Sequence, residues 1–282
     1  MTLRLRQKIL RTLSYLLLAW GVHAANAQEA SPPLPAWKVL QFEQKAFWAT
    51  ARSRIEVEKS ATIDGAWTLA ARSSVVSNSE EVQVTLSAGS GQVISRSRLS
   101  RGSDQRFKSF GYGPEFILRE RRSGDKKSTV PPSEWPVSST REIPYPEPRE
   151  GLAIIDDYTL LLLADRLQAS KAASMEVIVH TEFNFYTVRM TVGNGIPVSA
   201  DFQVTNGADV QGRRETRAVA LQVSPRGELE DKPDFSLLGL HGEIILFFDK
   251  QTGLPLQIRG DAPRIGATEI NLKAATLREP AE

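Results

Sequence analysis

No cysteine occurs among the 282 residues. That excludes disulfides, thiolate-held zinc and iron–sulfur sites, a cysteine nucleophile and a lipid-modified amino-terminal cysteine. Histidine is nearly as scarce, with three in the chain, of which His180 and His241 alone lie beyond residue 27. A nucleophile–base arrangement or a paired-histidine metal motif therefore has few parts to draw on. Also missing are a Gly-Xaa-Ser-Xaa-Gly elbow, a phosphate-binding loop, a dinucleotide fingerprint and a dense Asp/Asn calcium loop. The expectation is a protein with no catalytic residues, no cofactor and no metal.

Long apolar runs are confined to the first residues. Arg4, Arg6, Lys8 and Arg11 make a basic start, Thr12 to Val22 is mostly apolar, and Ala25-Asn26-Ala27 supplies a small-residue cleavage site. Residues 1–27 thus read as a cleavable signal peptide, too short in its apolar part for the roughly 18 residues that span a bilayer. The expected location is the periplasm. The formal charge of +2 includes the four basic leader residues, so the remainder carries −2. Such a balance argues against a nucleic-acid binder.

Residues 28–36, with Pro32, Pro33 and Pro35, read as an extended linker, since proline lacks a backbone donor. From Trp37 period-two alternation dominates. Leu40, Phe42, Gln44, Ala46 and Trp48 share one strand face; so do Ile55 and Val57, Trp67, Leu69 and Ala71, and Val82, Val84 and Leu86. Asp64-Gly65, Ser77-Asn78-Ser79 and Gly89-Ser90-Gly91 mark turns between them. The alternation predicts strands at 93–99, 106–112 and 115–121 and then stops. Residues 123–150 carry Pro131, Pro132, Pro136, Pro144, Pro146 and Pro148 and read as a surface excursion or mobile flap.

One helix is predicted, at about 157–168, with Asp156 or Asp157 as its cap and Arg166 near its carboxyl end. Leu160 to Leu163 wet more than one face, so the helix must be packed between the sheet and another element. Strands resume at 175–181 and continue to 277. The hairpin through Asp249-Lys250-Gln251-Thr252-Gly253 has Phe247 and Phe248 on opposite faces of its first strand, so one of the two needs a cover. The fold class expected is all-β, a curved antiparallel sheet or partly open β-barrel of about fourteen strands with one packed helix. It forms a single domain over 37–280.

Asp157-Tyr158-Thr159-Leu160 with Arg166, the strand Ile244 to Asp249, the turn through Gly253, Leu254-Pro255-Leu256-Gln257-Ile258 and Ile265-Gly266-Ala267 together resemble bacterial domain-of-unknown-function family 3108. The resemblance implies an exported all-β envelope protein, similar in shape to periplasmic carriers that hold lipoproteins on a concave β surface. It carries over no catalytic residues.

Charge is segregated along the chain. Arg96 to Lys127 holds ten basic residues against four acids, which leaves the rest of the mature chain at −8. Arg96 with Arg98, Arg106 with Lys108, and Arg119 with Arg121 each stand two apart, on one face of a strand. If those strands are neighbours the six form a basic plate, a candidate surface for an anionic ligand or partner. A plainly solvated sheet face reads the same way. His180, His241 and the adjacent Asp156-Asp157 read as structural, because adjacent carboxylates seldom point at one atom. The function expected is non-enzymatic binding or carriage of an apolar or lipid-like ligand on a curved β surface. The alternatives are an adaptor or scaffold that docks an envelope protein, then a periplasmic hydrolase. No nucleic-acid partner is expected, and membrane association is peripheral at most.

Overall fold

Alternation of dry and wet residues commits each segment to a strand with one buried face, and short turns commit neighbours to antiparallel pairing. The computed structural model describes residues 33–46, 49–103, 105–125, 129–147, 151–205, 207–230 and 232–279. The leader, the first part of the linker, Trp48, Asp104, Lys126 and Lys127 lie outside these. The strands are β1 Trp37–Ala46, β2 Ala49–Lys59, β3 Ala66–Val75, β4 Asn78–Ser87, β5 Val93–Arg101, β6 Gln105–Tyr112, β7 Phe116–Gly124, β8 Val137–Pro144 and β9 Ile154–Ile155. After helix α1, Thr159–Ala169, come β10 Ser174–His180, β11 Phe185–Asn194, β12 Val198–Val204, β13 Val210–Arg214, β14 Thr216–Pro225, β15 His241–Asp249, β16 Pro255–Ala262 and β17 Gly266–Leu277.

These form one large sheet. Its spatial order runs from β8 back through consecutive hairpins to β1, then β17, β16, β15, β14, β11, β10 and β9. All neighbours are antiparallel except β9 with β10. The β12–β13 hairpin stands aside, and β12 joins β17 in parallel for two rungs. The all-β expectation and its single helix are met, with seventeen strands described rather than about fourteen. The three extra are β8, β9 and β13. β8 lies inside the proline-rich connection, where Pro136 precedes the strand and Pro144 ends it, so no proline interrupts its ladder to β7. The β3–β4 turn falls at Val76-Ser77, one residue before the expected site, because Val75 pairs with Asn78.

The sheet rolls and its two ends overlap without a closing ladder. Odd and even positions of β10 show this. Val177 and Val179 join the main core, whereas Ile178 joins a second cluster with Phe110 of β6, Ile117 of β7, Ile143 of β8, Ile154 of β9 and Phe185 of β11. The inner face of β6–β8 therefore covers the outer face of β9–β11, and apolar packing closes the seam that hydrogen bonds leave open. Inside the roll, Leu160, Leu161, Leu162 and Leu163 are all at most 2% exposed. The helix packs on β11, β14 and β15. Arg166 anchors it to the β4–β5 turn through the Ala88 carbonyl at 2.7 Å and lies 4.2 Å over the Trp67 ring. Arg217 of β14 donates to the Gln168 carbonyl at 2.8 Å and satisfies part of its carboxyl end. Phe248 points into the core, and Phe247 is covered, 4% exposed, beneath the Arg259 guanidinium.

Candidate functional site

Register places the six predicted cations on one concave face. Across β5, β6 and β7, Arg98 stands opposite Lys108 and Lys108 opposite Arg121; Arg96 stands opposite Phe110 and Phe110 opposite Arg119. Arg106 begins the next row, opposite Ser100 and Ser123. The strands are neighbours, as a plate requires. What periodicity could not show is what stands in front of them.

Acids face four of the six, and for three of these the acid comes from the other end of the sheet. Arg96, 7% exposed, donates from Nη1 to Asp156 Oδ2 at 2.7 Å and to the His180 carbonyl at 3.0 Å, and from Nη2 to the Thr181 carbonyl. Its guanidinium also lies 3.9 Å over the Phe110 ring. Lys108 and Arg119 both bind Glu182 in the β10–β11 turn, and Arg119 and Arg141 lie over the ring of Phe183. Arg98 donates to Glu80 on its own side, at 2.7 Å. Much of the plate is therefore spent clamping the seam. Arg106 lines the cavity described below, and Arg121 lies beside it on the ladder.

The two adjacent acids behave differently from the expectation. α1 begins at Thr159, two residues late, and the Tyr158 N–H is accepted by Asp156 Oδ1 at 3.0 Å and by Asp157 Oδ1 at 3.1 Å. The two carboxyls thus converge on one donor. Burial, and then the neighbouring Asp156 carboxylate, push the Asp157 carboxyl well above its ordinary value. Asp156 has one oxygen on Arg96 and the other on the Tyr158 amide, whereas Asp157 also lines the cavity. His180 is fully buried among Phe110, Tyr112 and Phe185, with Nδ1 2.9 Å from the Tyr112 hydroxyl. Burial, and then the Arg96 charge, hold it well below the ordinary histidine value, so its ring is neutral. His241 Nδ1 lies 2.7 Å from the Phe235 carbonyl and has the structural place expected of it.

Above these residues the roll is open, with a cavity of about 800 Å³. Asp157 and Tyr158 form its floor; Ser53, Ser73, Ser100, Glu80 and Arg98 stand on its walls, and Val75, Leu238 and Ile265 at its mouth. Seven serines in all contribute to the lining. The volume suits a small ligand or a lipid head group, and the polar groups can orient one. Among the described residues no three His, Asp or Glu gather to hold a metal ion. No described helix is long and apolar enough to cross a membrane. The cavity was not visible in the sequence because its walls come from β2 to β5 and its floor from residue 156 onward; Ser73, Ser74, Ser79 and Ser100, near strand ends, were the one local sign.

No family model matches the chain, so the resemblance to family 3108 finds no support there. No curated protein matches it. Among solved structures it is similar to a porin-like protein from Bacteroides uniformis, at 7% identity over 86% of this chain and 98% of that one, with a TM-score of 0.23. It is also similar to a β-barrel-like protein of domain-of-unknown-function family 1849 from Brucella abortus, at 10% identity over 89% of this chain and 100% of that one, with a TM-score of 0.51. At that identity the second likeness concerns architecture alone, and it establishes a β-barrel-like fold for this chain.

Proposed function

We propose that this is a non-enzymatic binding module of the cell envelope, exported to the periplasm, that takes a lipid-like amphiphile into the open end of its rolled sheet. The observation that carries the reading is the cavity of about 800 Å³, whose lining combines serines and charged side chains with aliphatic groups, Val75, Leu238 and Ile265 among them at the mouth. A purely apolar chain would strand Glu80, Arg98 and Asp157 without water. A ligand with a polar head satisfies both zones. Calorimetric titration with monomeric dihexanoylphosphatidylglycerol tests this. Saturable binding is expected, and Ser73→Trp, which fills the space between two walls, is expected to abolish it; heat that does not saturate, or that Ser73→Trp leaves unchanged, overturns the reading. Export is tested by sequencing the amino terminus of the protein from a periplasmic fraction, where Gln28 is the expected first residue and an intact Met1 the contrary result.

A second reading, an adaptor, is favoured by β8. Among the described residues this strand pairs with β7 alone, and seven of its eight residues are exposed. Its bare edge can accept an extended segment of a partner. A photo-crosslinking residue at Ser138 that traps one stoichiometric envelope protein would support it, and trapping of nothing above background would count against it.

A further inference from the structure

Three turns rim the mouth, and each presents an aliphatic side chain. They are Val76 between β3 and β4, Leu238 in the tight turn from Leu237 to Leu240, and Ile265 between β16 and β17. Val76 is 76% exposed and Ile265 41%, whereas Leu238 is half-buried and packs partly against the core. The same three turns contain every described non-glycine residue with positive φ, namely Val76 and Leu238 at 53° and Arg264 at 66°. That backbone region suits glycine or asparagine and is especially poor for a β-branched side chain. Val76 is thus unfavourable to its own turn and buried against nothing. Neither local propensity nor core packing accounts for it.

Behind this rim the cavity carries serines and charged side chains among its apolar groups. A wholly polar ligand would leave the aliphatic tips in water, and an apolar one would desolvate the walls. An occupant with its polar part inside and its apolar part level with the rim meets both demands. Cations stand at the rim, since Arg72 and Arg101 share Glu81 beside the β3–β4 hairpin and Arg264 is exposed in the third turn, while Asp234 lines the cavity near the second.

We propose that the mouth docks on an anionic phospholipid bilayer, with Val76, Leu238 and Ile265 at the boundary between head groups and acyl chains and the head group of one lipid inside the cavity. This rests on the amphiphile-binding reading and gives it a direction: the lipid enters head first and its chains stay outside. Aliphatic tips bind the interface through buried area, and rim cations add attraction to phosphate.

The experiment is sedimentation of the purified protein with vesicles of phosphatidylethanolamine and phosphatidylglycerol, beside titration with monomeric dihexanoylphosphatidylglycerol. Wild type is expected to pellet with the vesicles. Val76→Gly suits the positive φ, so the hairpin is not weakened, yet vesicle partition is expected to fall about tenfold for the lost valine contact. Arg264→Glu is expected to lower partition and Val76→Trp to raise it. All three are expected to keep saturable binding of the short-chain lipid, because neither Val76 nor Arg264 lines the cavity that takes its head group. Vesicle binding that Val76→Gly and Arg264→Glu leave unchanged overturns the docking proposal. So does a wild-type protein that binds the short-chain lipid and ignores vesicles, or a rim found covered by another protein. Failure of wild type to bind the short-chain lipid overturns the reading beneath it.

Discussion

Arg96 and Asp156 are 60 residues apart in sequence and almost completely withdrawn from water. Their net worth against an apolar pair is small, but a lone survivor would be a buried, uncompensated charge. Arg96→Met is expected to cost about 3–5 kcal/mol in urea unfolding. Arg96→Met with Asp156→Leu is expected to recover most of it; a double variant no better than the single would show that the pair does not act as a unit. Asp165 makes a different kind of prediction. Burial, against the opposing pull of Trp37 and Arg166, pushes its carboxyl up to about 6 from an ordinary 3.8. The folded state therefore holds a proton that the unfolded state has released, and stability falls as pH rises through that interval. Asp165→Asn is expected to raise stability at pH 7.5 by about 1–3 kcal/mol and to change it little at pH 3.5. An equal gain at both pH values would place the cause elsewhere. The faces of Arg96, Arg98, Arg106, Lys108, Arg119 and Arg121 were legible from spacing, since two residues in a strand always return to the same side. Their partners were not, because Glu182 lies 63 residues from Arg119 and 74 from Lys108.

At the scale of elements, the helix shows how a turn and a core position are matched. Gly91 holds φ +77, and a Cβ there would stand 3.2 Å from Leu163 Cδ2. The β4–β5 turn can lie on the helix because it has no side chain at that point. Gly91→Ala is expected to cost about 1–3 kcal/mol and to speed amide exchange in α1. Unchanged exchange would mean that the turn does not hold the helix. The leucine run announced a helix buried on several sides. It could not announce that β-strands on opposite sides of a roll would supply the cover. β8 was hidden for a local reason: Pro136 and Pro144 raised the proline count of the connection, yet both lie at strand limits where they remove no ladder bond. Trp135, 4% exposed, lies against Gly124 at the end of β7 and donates to the Val130 carbonyl at 3.1 Å.

For the whole molecule the decisive feature is the seam. Its apolar cluster supplies area, and Glu182 supplies the clamp. Although burial works against it, Lys108 and Arg119 hold the Glu182 carboxyl below its ordinary value. Its contribution is present above the usual carboxylate range and is lost as pH falls through the depressed value. His180 acts in the same direction. It stays neutral in the fold while the unfolded chain takes up a proton below about 6.5, so stability falls as pH drops from there. The seam is expected to loosen in acid before the rest of the roll. Hydrogen exchange corrected for intrinsic rates should show β6–β10 amides losing protection as pH falls from about 6.5, through His180 first and through Glu182 below the usual carboxylate range, while α1 keeps its own. Glu182→Ala, which leaves Lys108 and Arg119 unpaired, should reproduce that pattern at pH 7. Uniform loss of protection in either case would refute a separate seam.

The sequence by itself determined the class of fold, the buried face of most strands, the place and burial of the helix and the shared face of six cations. Each of these is a local property, fixed by a period of two or of 3.6 and by turn chemistry. Tertiary structure alone decided that the sheet would roll and overlap, that the basic plate would meet acids from the far end, and that serines near strand ends would enclose a cavity. Those outcomes depend on which distant strands become neighbours. The accumulated twist and packing of the whole sheet settle that, and no single stretch of the chain contains it.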